Sequence, residues 1–132
     1  MYQLKSKFFL KKKHHSRTPA LKKCPQVKGA VKRPRIVTPR KPNSARRPVA
    51  KVLLNNKKRV TSHIPGIGHN IRSHSSVLVR GGGARDLPGV RYTCIRGVYD
   101  FIGLINKKRR RSIYGAKQQN KFKKARRKFR FK

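Results

Sequence analysis

Residues 76–95 read SVLVRGGGARDLPGVRYTCI and carry the clearest structural signal in the chain. Two runs rich in β-branched and apolar residues, 76–80 and 90–95, flank three consecutive glycines and a Pro-Gly pair. β-Branched residues favour strands, whereas glycine and proline favour turns. The segment therefore predicts two strands joined by a loop whose glycines allow close approach of another chain.

The same alternation of short strands and turns continues toward the N-terminus. Residues 49–54 and 60–64 are predicted strands, residues 31–38 are a candidate fifth, and a Pro-Gly-Ile-Gly turn follows at 65–68. Five strands in about 70 residues fit the oligonucleotide-binding (OB) barrel better than an immunoglobulin-like sandwich, which needs about 100 residues. The predicted fold class is all-β: a five-stranded OB-fold-like barrel with a long basic N-terminal arm and a basic C-terminal tail.

Net charge indicates the class of partner. The chain of 132 residues has 39 Lys and Arg but only two acidic residues, Asp86 and Asp100, which gives a formal charge of +37. Self-repulsion on this scale opposes a compact state, so the expected partner is a phosphate-rich polyanion. Because the cations are densest at both ends, we predict a basic N-terminal extension at 1–30, a barrel at 31–106 and a basic tail at 107–132. We expect the polyanion to order the two ends.

Other functional classes find little support. Cys24 and Cys94 are far apart and make neither a disulfide framework nor a four-cysteine metal site. His69 and His74 are the closest candidates for a zinc site, but they have no thiolates nearby. The glycine loop lacks the Gly-Lys-Ser/Thr ending of a P-loop, no apolar run is long enough for a membrane span, and no paired carboxylates suggest a nuclease. We expect no enzyme activity, no cofactor, no metal and no membrane partner.

The first candidate binding loop is residues 38–45, TPRKPNSA. Its two prolines disfavour helix at and before their positions, and Asn43 and Ser44 are turn formers. The sequence predicts a stiff, exposed loop with two adjacent cations, and an ordinary surface turn is equally compatible with the pattern.

Asp86 is the most informative residue of the glycine loop. It lies between Arg85 and Arg91, so a local ion pair or a turn cap is the simplest interpretation. The alternative is that Asp86 fixes the geometry of a loop tip that meets RNA. Because phosphates repel a carboxylate, Asp86 is expected to contact protein, a base or a sugar hydroxyl.

A series of short motifs runs between residues 19 and 117. The motifs are PAL at 19–21, CPQ at 24–26 with Gly29, TPRKPNSA at 38–45, IPG at 64–66, GHN at 68–70, HS at 74–75, VRGG at 79–82, RDLPGVRY at 85–92, RGVYD at 96–100, and RS at 111–112 with YG at 114–115. In order and with near-family spacing, they resemble the family of the small-subunit ribosomal protein S-twelve, and a chance match of this extent is negligible.

The resemblance implies an OB-type barrel whose N-terminal arm threads through small-subunit rRNA and whose two loops face the decoding centre. The implied role is structural: family members there help hold the rRNA bases that inspect the codon–anticodon helix, and so maintain accuracy at the A site. The residues carried over to the rRNA and decoding site are Arg40, Lys41, Pro42, Asn43, Ser44, Arg85, Asp86, Leu87 and Pro88, with His74 facing the incoming tRNA. In bacterial relatives the aspartate matching Asp86 can carry a methylthio group, so Asp86 is a candidate modification site.

The partners implied by the resemblance are small-subunit rRNA, neighbouring ribosomal proteins, the mRNA–tRNA decoding helix and the elongation factor on A-site tRNA. The chain departs from bacterial members, which have Arg-Val-Lys-Asp where this chain has Gly-Ala-Arg-Asp at 83–86. The segment before Pro19 is no longer than in those relatives, which leaves no room for a cleavable transit peptide.

Divergence and the basic, aromatic tail favour a mitochondrial member made inside the organelle, with a plastid or bacterial ribosome as the alternative. A nucleic-acid compactor without sequence preference is the competing function.

Overall fold

The computed structural model describes residues 15–118, so residues 1–14 and 119–132 of the two predicted basic ends lie outside the described part. Five strands form the body of the protein: β1 (Gln26–Val37), β2 (Arg47–Leu54), β3 (Arg59–His63), β4 (Ser76–Gly81) and β5 (Tyr92–Ile95). Neighbouring strands pair in the order β1-β2-β3-β5-β4 and close into a barrel. The all-β class and the five-stranded barrel predicted from the sequence are confirmed.

The length of β1 allows this strand to pair with two neighbours. Residues 26–30 pair antiparallel with β4, and residues 29–37 pair antiparallel with β2. The register shifts between Val31 and Arg33, and a bulge at such a point bends the strand. A parallel pairing of β3 with β5 completes the closure.

The barrel interior follows from the alternation of side chains along the strands. In β4, Val77 and Val79 are fully buried, whereas Arg80 is exposed. In β2, Val52 and Leu54 are buried in the same core. The β-branched residues that predicted the strands are therefore also the residues that fill the barrel.

At the N-terminal side, the folded part begins before the predicted limit at residue 31. A short 3-10 helix, Pro19–Leu21, buries Ala20 and Leu21 in the core, and Val27 packs against it. Residues that the sequence division assigned to the basic extension are therefore part of the folded barrel, and β1 starts at Gln26.

At the C-terminal side, the described part of the predicted tail packs on the barrel. A second 3-10 helix spans Arg111–Tyr114, and the Leu104 N–H donates to the Tyr114 carbonyl at 2.9 Å. An added Cβ at Gly103 would lie 2.3 Å from the Gly115 carbonyl oxygen, so glycine is needed where these two backbones touch. The folded part therefore also continues beyond residue 106.

A buried cation ties the segments after β3 and β5 together. The Arg96 guanidinium donates to the carbonyls of Pro65 at 2.5 Å and Ile102 at 3.1 Å, and also to that of Gly68. It lies 4.3 Å from the centre of the Phe101 ring. Burial lowers the pKa of Arg96, and three carbonyl acceptors compensate for the lost hydration.

Candidate nucleic-acid interface

Two loops meet at one end of the barrel. The first loop, residues 38–46, joins β1 to β2, and the second loop, residues 82–91, joins β4 to β5. The Arg40 N–H donates to the Asp86 carbonyl oxygen at 2.8 Å. The structure therefore brings together the two loops that the sequence analysis singled out separately.

The Asp86 carboxylate forms a second connection, with Arg47 at the start of β2. Arg47 Nε donates to Asp86 Oδ2 at 2.8 Å, and the Asp86 side chain is only 12% exposed. This hydrogen bond is the main cause that lowers the pKa of Asp86 below its ordinary 3.8, against the opposing effect of burial. The ion pair expected from the sequence exists, but its cation is 39 residues away and is neither Arg85 nor Arg91.

Apolar packing supports the junction from below. Val49, Leu87 and Val90 form a small buried cluster of their own, against which Val37 and Ala84 pack. Leu87 is 3% exposed, so its side chain packs into the barrel and holds the second loop there. The Val90 N–H donates to the Leu87 carbonyl at 3.4 Å and so closes a turn, and β5 starts at Tyr92, two residues later than predicted.

The remaining candidates of the two loops are exposed. Asn43 closes a turn by donating its N–H to the Arg40 carbonyl at 3.1 Å, and the peptide bond between Lys41 and Pro42 is cis. The exposed candidates are Arg40, Lys41, Pro42, Asn43, Ser44, Arg85 and Pro88. Three cations and two short polar side chains thus surround the junction, which suits contacts with phosphates, ribose hydroxyls and base edges.

His74 does not lie near the junction. It precedes β4, whereas the second loop follows β4, and a six-residue strand separates its ends by roughly 17 Å. His74 is exposed, has a left-handed φ of 68° and donates its N–H to the Val31 carbonyl at 2.7 Å. It belongs to a different surface of the barrel.

A basic cleft beside the second loop was missed by the sequence analysis. The N-terminal segment folds back here, and the cleft of about 590 Å³ contains His15, Arg17, Arg85 and Arg91. An added Cβ at Gly81 would lie 2.9 Å from Thr18 Cγ2, which shows how closely the two segments approach. The cleft and the role of Arg47 could not be read from the sequence, because only the fold shows which distant segments and cations meet the second loop.

A second basic cleft, of about 560 Å³, contains Lys32, Lys51 and Arg59 on the face formed by β1, β2 and β3.

Among residues 15–118, the Arg47–Asp86 contact is the one ion pair, so nearly all cations in that range lack a carboxylate partner. Within the same range, no helix is long and apolar enough to cross a bilayer, and no three His, Cys, Asp or Glu side chains are grouped for a metal. Fold and charge define a strongly basic, five-stranded barrel protein whose surface suits a polyanion.

Comparison with known proteins identifies the family. Residues 14–128 match the family described as Ribosomal protein S12/S23. The chain is also 64% identical over 125 residues to "Small ribosomal subunit protein uS12m" of Paramecium tetraurelia, which covers 92% of this chain and 90% of that protein. The chain belongs to the ribosomal protein S12/S23 family. The predictions of an organellar, mitochondrial member and of a structural ribosomal protein that is not an enzyme are confirmed.

Proposed function

We propose that this protein lies at the decoding centre of the mitochondrial small ribosomal subunit, binds rRNA there and maintains translational accuracy at the A site. The junction at Asp86 carries the proposal, because one residue binds Arg40 through its carbonyl and Arg47 through its carboxylate. Two loops that are distant in sequence thereby form one surface. An rRNA element that changes conformation on codon recognition can rest on such a surface in one of its two arrangements.

The exposed side chains divide by chemistry. Arg40, Lys41 and Arg85 supply positive charge for rRNA phosphates, and a guanidinium can bind a phosphate through two hydrogen bonds. Asn43 and Ser44 offer short donors and acceptors for base edges or ribose. In this proposal the residues position RNA and carry out no covalent step.

Pro42, Pro88, His74 and Asp86 are the other residues of the proposal. Pro42 and Pro88 are exposed at the surface of the two loops and restrict the backbone there. His74, on another surface, is the proposed contact for the incoming tRNA and its elongation factor. Asp86 is the candidate position for a methylthio group.

The experiment compares Asp86→Asn and Arg47→Gln with Lys58→Gln. Each of the first two removes one side of the Arg47–Asp86 ion pair, and the third removes an exposed cation between β2 and β3, outside both loops and both basic clefts. Small subunits carrying each variant are isolated, incorporation is measured by co-sedimentation, and accuracy is measured as stop-codon readthrough. We expect altered readthrough with normal incorporation for the two junction variants and unchanged readthrough for the control. Unchanged readthrough in well-incorporated junction variants contradicts the proposal.

The competing compactor function is tested by salt. Nonspecific binding through some ten phosphate contacts should weaken by about 10³ to 10⁵ between 50 and 200 mM salt. A protein fixed in the subunit by shape should remain with the small subunit after a high-salt wash. Recovery mainly on free DNA would favour the compactor.

A further inference from the structure

An apolar groove lies near the C-terminal end of the described chain, away from the two loops. We define the C-terminal groove as the depression of about 440 Å³ that includes Tyr99, Ile102, Leu104, Ile105 and Lys117. Ile102 is 61% exposed and Ile105 is 79% exposed, and Tyr99 is more than half exposed. Clustered exposed apolar side chains of this kind mark interaction sites.

The floor of the groove is rigid. The Gly97 N–H donates to the Phe101 carbonyl at 2.7 Å, and Phe101 is fully buried beneath it. An added Cβ at Gly115 would lie 2.7 Å from the Arg96 carbonyl oxygen, so the two backbone segments are in direct contact. A partner therefore meets a preformed shape and does not have to order it, which lowers the cost of binding.

The chemistry of the groove favours a protein over RNA. Isoleucine has neither a hydrogen-bonding group nor a ring face for stacking, so Ile102 and Ile105 gain little from phosphates, riboses or base edges. Burial against apolar side chains is the favourable alternative. The other large exposed apolar side chains of residues 15–118, Ile36 and Ile67, do not line this groove.

The cations at the rim indicate the charge of that partner. Lys117 and Lys107 lie beside the apolar residues, with Lys107 Nζ 5.0 Å from the Tyr114 ring centre, and Lys28 Nζ lies 4.6 Å from the ring centre of Tyr99. These ammonium groups repel a basic segment and attract an acidic one. Residues 119–132 of this chain hold eight Lys and Arg and no acid, so they are a poor match for the rim.

We propose that the C-terminal groove binds an acidic, apolar segment of a neighbouring protein in the small ribosomal subunit. The inference rests on the proposed function in one respect, since the partner is sought within the assembled subunit. The apolar side chains of the partner segment cover Ile102 and Ile105, and the carboxylates of that segment lie beside the lysines of the rim.

Site-specific photo-cross-linking tests the occupant. A benzophenone amino acid replaces Ile105 in the full chain, assembled small subunits are irradiated, and adducts are identified by mass spectrometry. The same probe at Ile36, which is 70% exposed on β1, is the matched control. We expect an adduct specific to position 105, on a segment of another small-subunit protein that carries both apolar and acidic residues. An adduct to rRNA, an adduct to residues 119–132 of the same chain, or no adduct overturns the proposal.

The charge of the partner is tested with the probe moved to position 102. Ile105→Asp should lower the adduct yield at least about tenfold, because it places a negative charge against apolar side chains of the partner and beside the carboxylates at the lysine rim. Ile105→Lys should lower it less than about threefold, since the lysine stem can still cover apolar surface. Equal losses, or a greater loss with lysine, contradict an acidic partner.

The two proposals fail separately. If the adduct forms but the Asp86 and Arg47 variants leave readthrough unchanged, the decoding role fails and the groove assignment stands. If those variants alter readthrough but the adduct is absent, the groove assignment fails alone.

Discussion

Replacing Gly83 with alanine should force the second loop open. An added Cβ at Gly83 would lie 1.8 Å from the Val90 carbonyl oxygen and 2.8 Å from its carbon. Real Cβ contacts essentially never fall below 3.0 Å, so the two sides of the loop must separate by about 1.2 Å. Both contacting groups are backbone, and no side-chain rotation relieves the overlap.

The cost follows from the bonds beside this contact. The Gly82 N–H donates to the Arg91 carbonyl at 3.1 Å, and losing such a hydrogen bond costs about 0.5–1.5 kcal/mol. Forcing an extra methyl group into a close-packed position costs about 1–3 kcal/mol. We therefore expect Gly83→Ala to reduce the free energy of unfolding by about 2–4 kcal/mol, which leaves a protein of ordinary stability folded but with a displaced loop.

Urea unfolding of the full-length chain, followed by tyrosine fluorescence at high salt to screen the cations, measures this change. Gly89→Ala is the matched control in the same loop: Gly89 has a φ of +76°, but nothing lies within 4 Å of an added Cβ. Its expected cost is about 1–2 kcal/mol, from the left-handed backbone alone. If Gly83→Ala destabilises no more than Gly89→Ala, or if subunits carrying Gly83→Ala read stop codons like the wild type, the contact of Gly83 with Val90 does not hold the second loop in its working shape.

Three further predictions concern buried groups. Arg96→Met should lower the free energy of unfolding by about 3 kcal/mol or more, because three carbonyls lose a charged donor. Arg96→Lys should recover only part of that stability, because an ammonium group cannot reproduce the fork of a guanidinium. Equal free energies of unfolding for the wild type and both variants would contradict this. Burial lowers the pKa of His63 below its ordinary 6.5, so the imidazole of the unfolded chain binds a proton before that of the folded chain as pH falls through 6.5. The free energy of unfolding, measured by urea titration, should therefore decline below pH 6.5, and His63→Gln should make the decline smaller. Burial raises the pKa of Cys94 to about 12, so iodoacetamide should modify exposed Cys24 in the native chain and Cys94 only after denaturation, as mass spectrometry would record.

The fold was predictable because local pattern and global topology agree in this chain. Runs such as 49–54 and 76–80 combine β-branched residues with flanking turns, and the structure makes each of them a strand. The ends were not predictable from the same pattern, because charge dominates the composition there. The burial of Leu21 and the contact of Gly103 with Gly115 depend on distant segments, which composition does not encode.

The candidate site was predictable as two loops but not as one surface. Exposure of residues 40–45 follows from their cations and turn formers, whereas the burial of Pro39 and the bond between Arg40 and Asp86 require the barrel to close. The interpretation of Gly83 was incomplete for the same reason: its departure from the bacterial pattern makes physical sense only when the Val90 carbonyl is seen beside it.

Both carboxylates of the chain are used within the protein. Asp100 Oδ2 accepts a hydrogen bond from the Ser76 N–H at 2.6 Å and so fixes the start of β4. Asp86 is paired with Arg47, and this pairing removes the repulsion that an isolated carboxylate would meet near phosphates. The pair presents little net charge, so in the proposed function the exposed cations around it supply the attraction to RNA phosphates.

This pairing predicts an asymmetry between the two sides of the junction. Arg47→Gln removes the main cause that lowers the pKa of Asp86, but a carboxyl group with the ordinary pKa of 3.8 is still charged at neutral pH. The variant therefore leaves an ionised carboxylate unpaired in the loop surface. Asp86→Asn keeps a carbonyl acceptor for Arg47 and removes the negative charge. Arg47→Gln should therefore disturb readthrough more than Asp86→Asn, and adding Asp86→Asn to Arg47→Gln should partly restore accuracy. If the double variant is as defective as the sum of the two single variants, the carboxylate does not act through its pairing with Arg47.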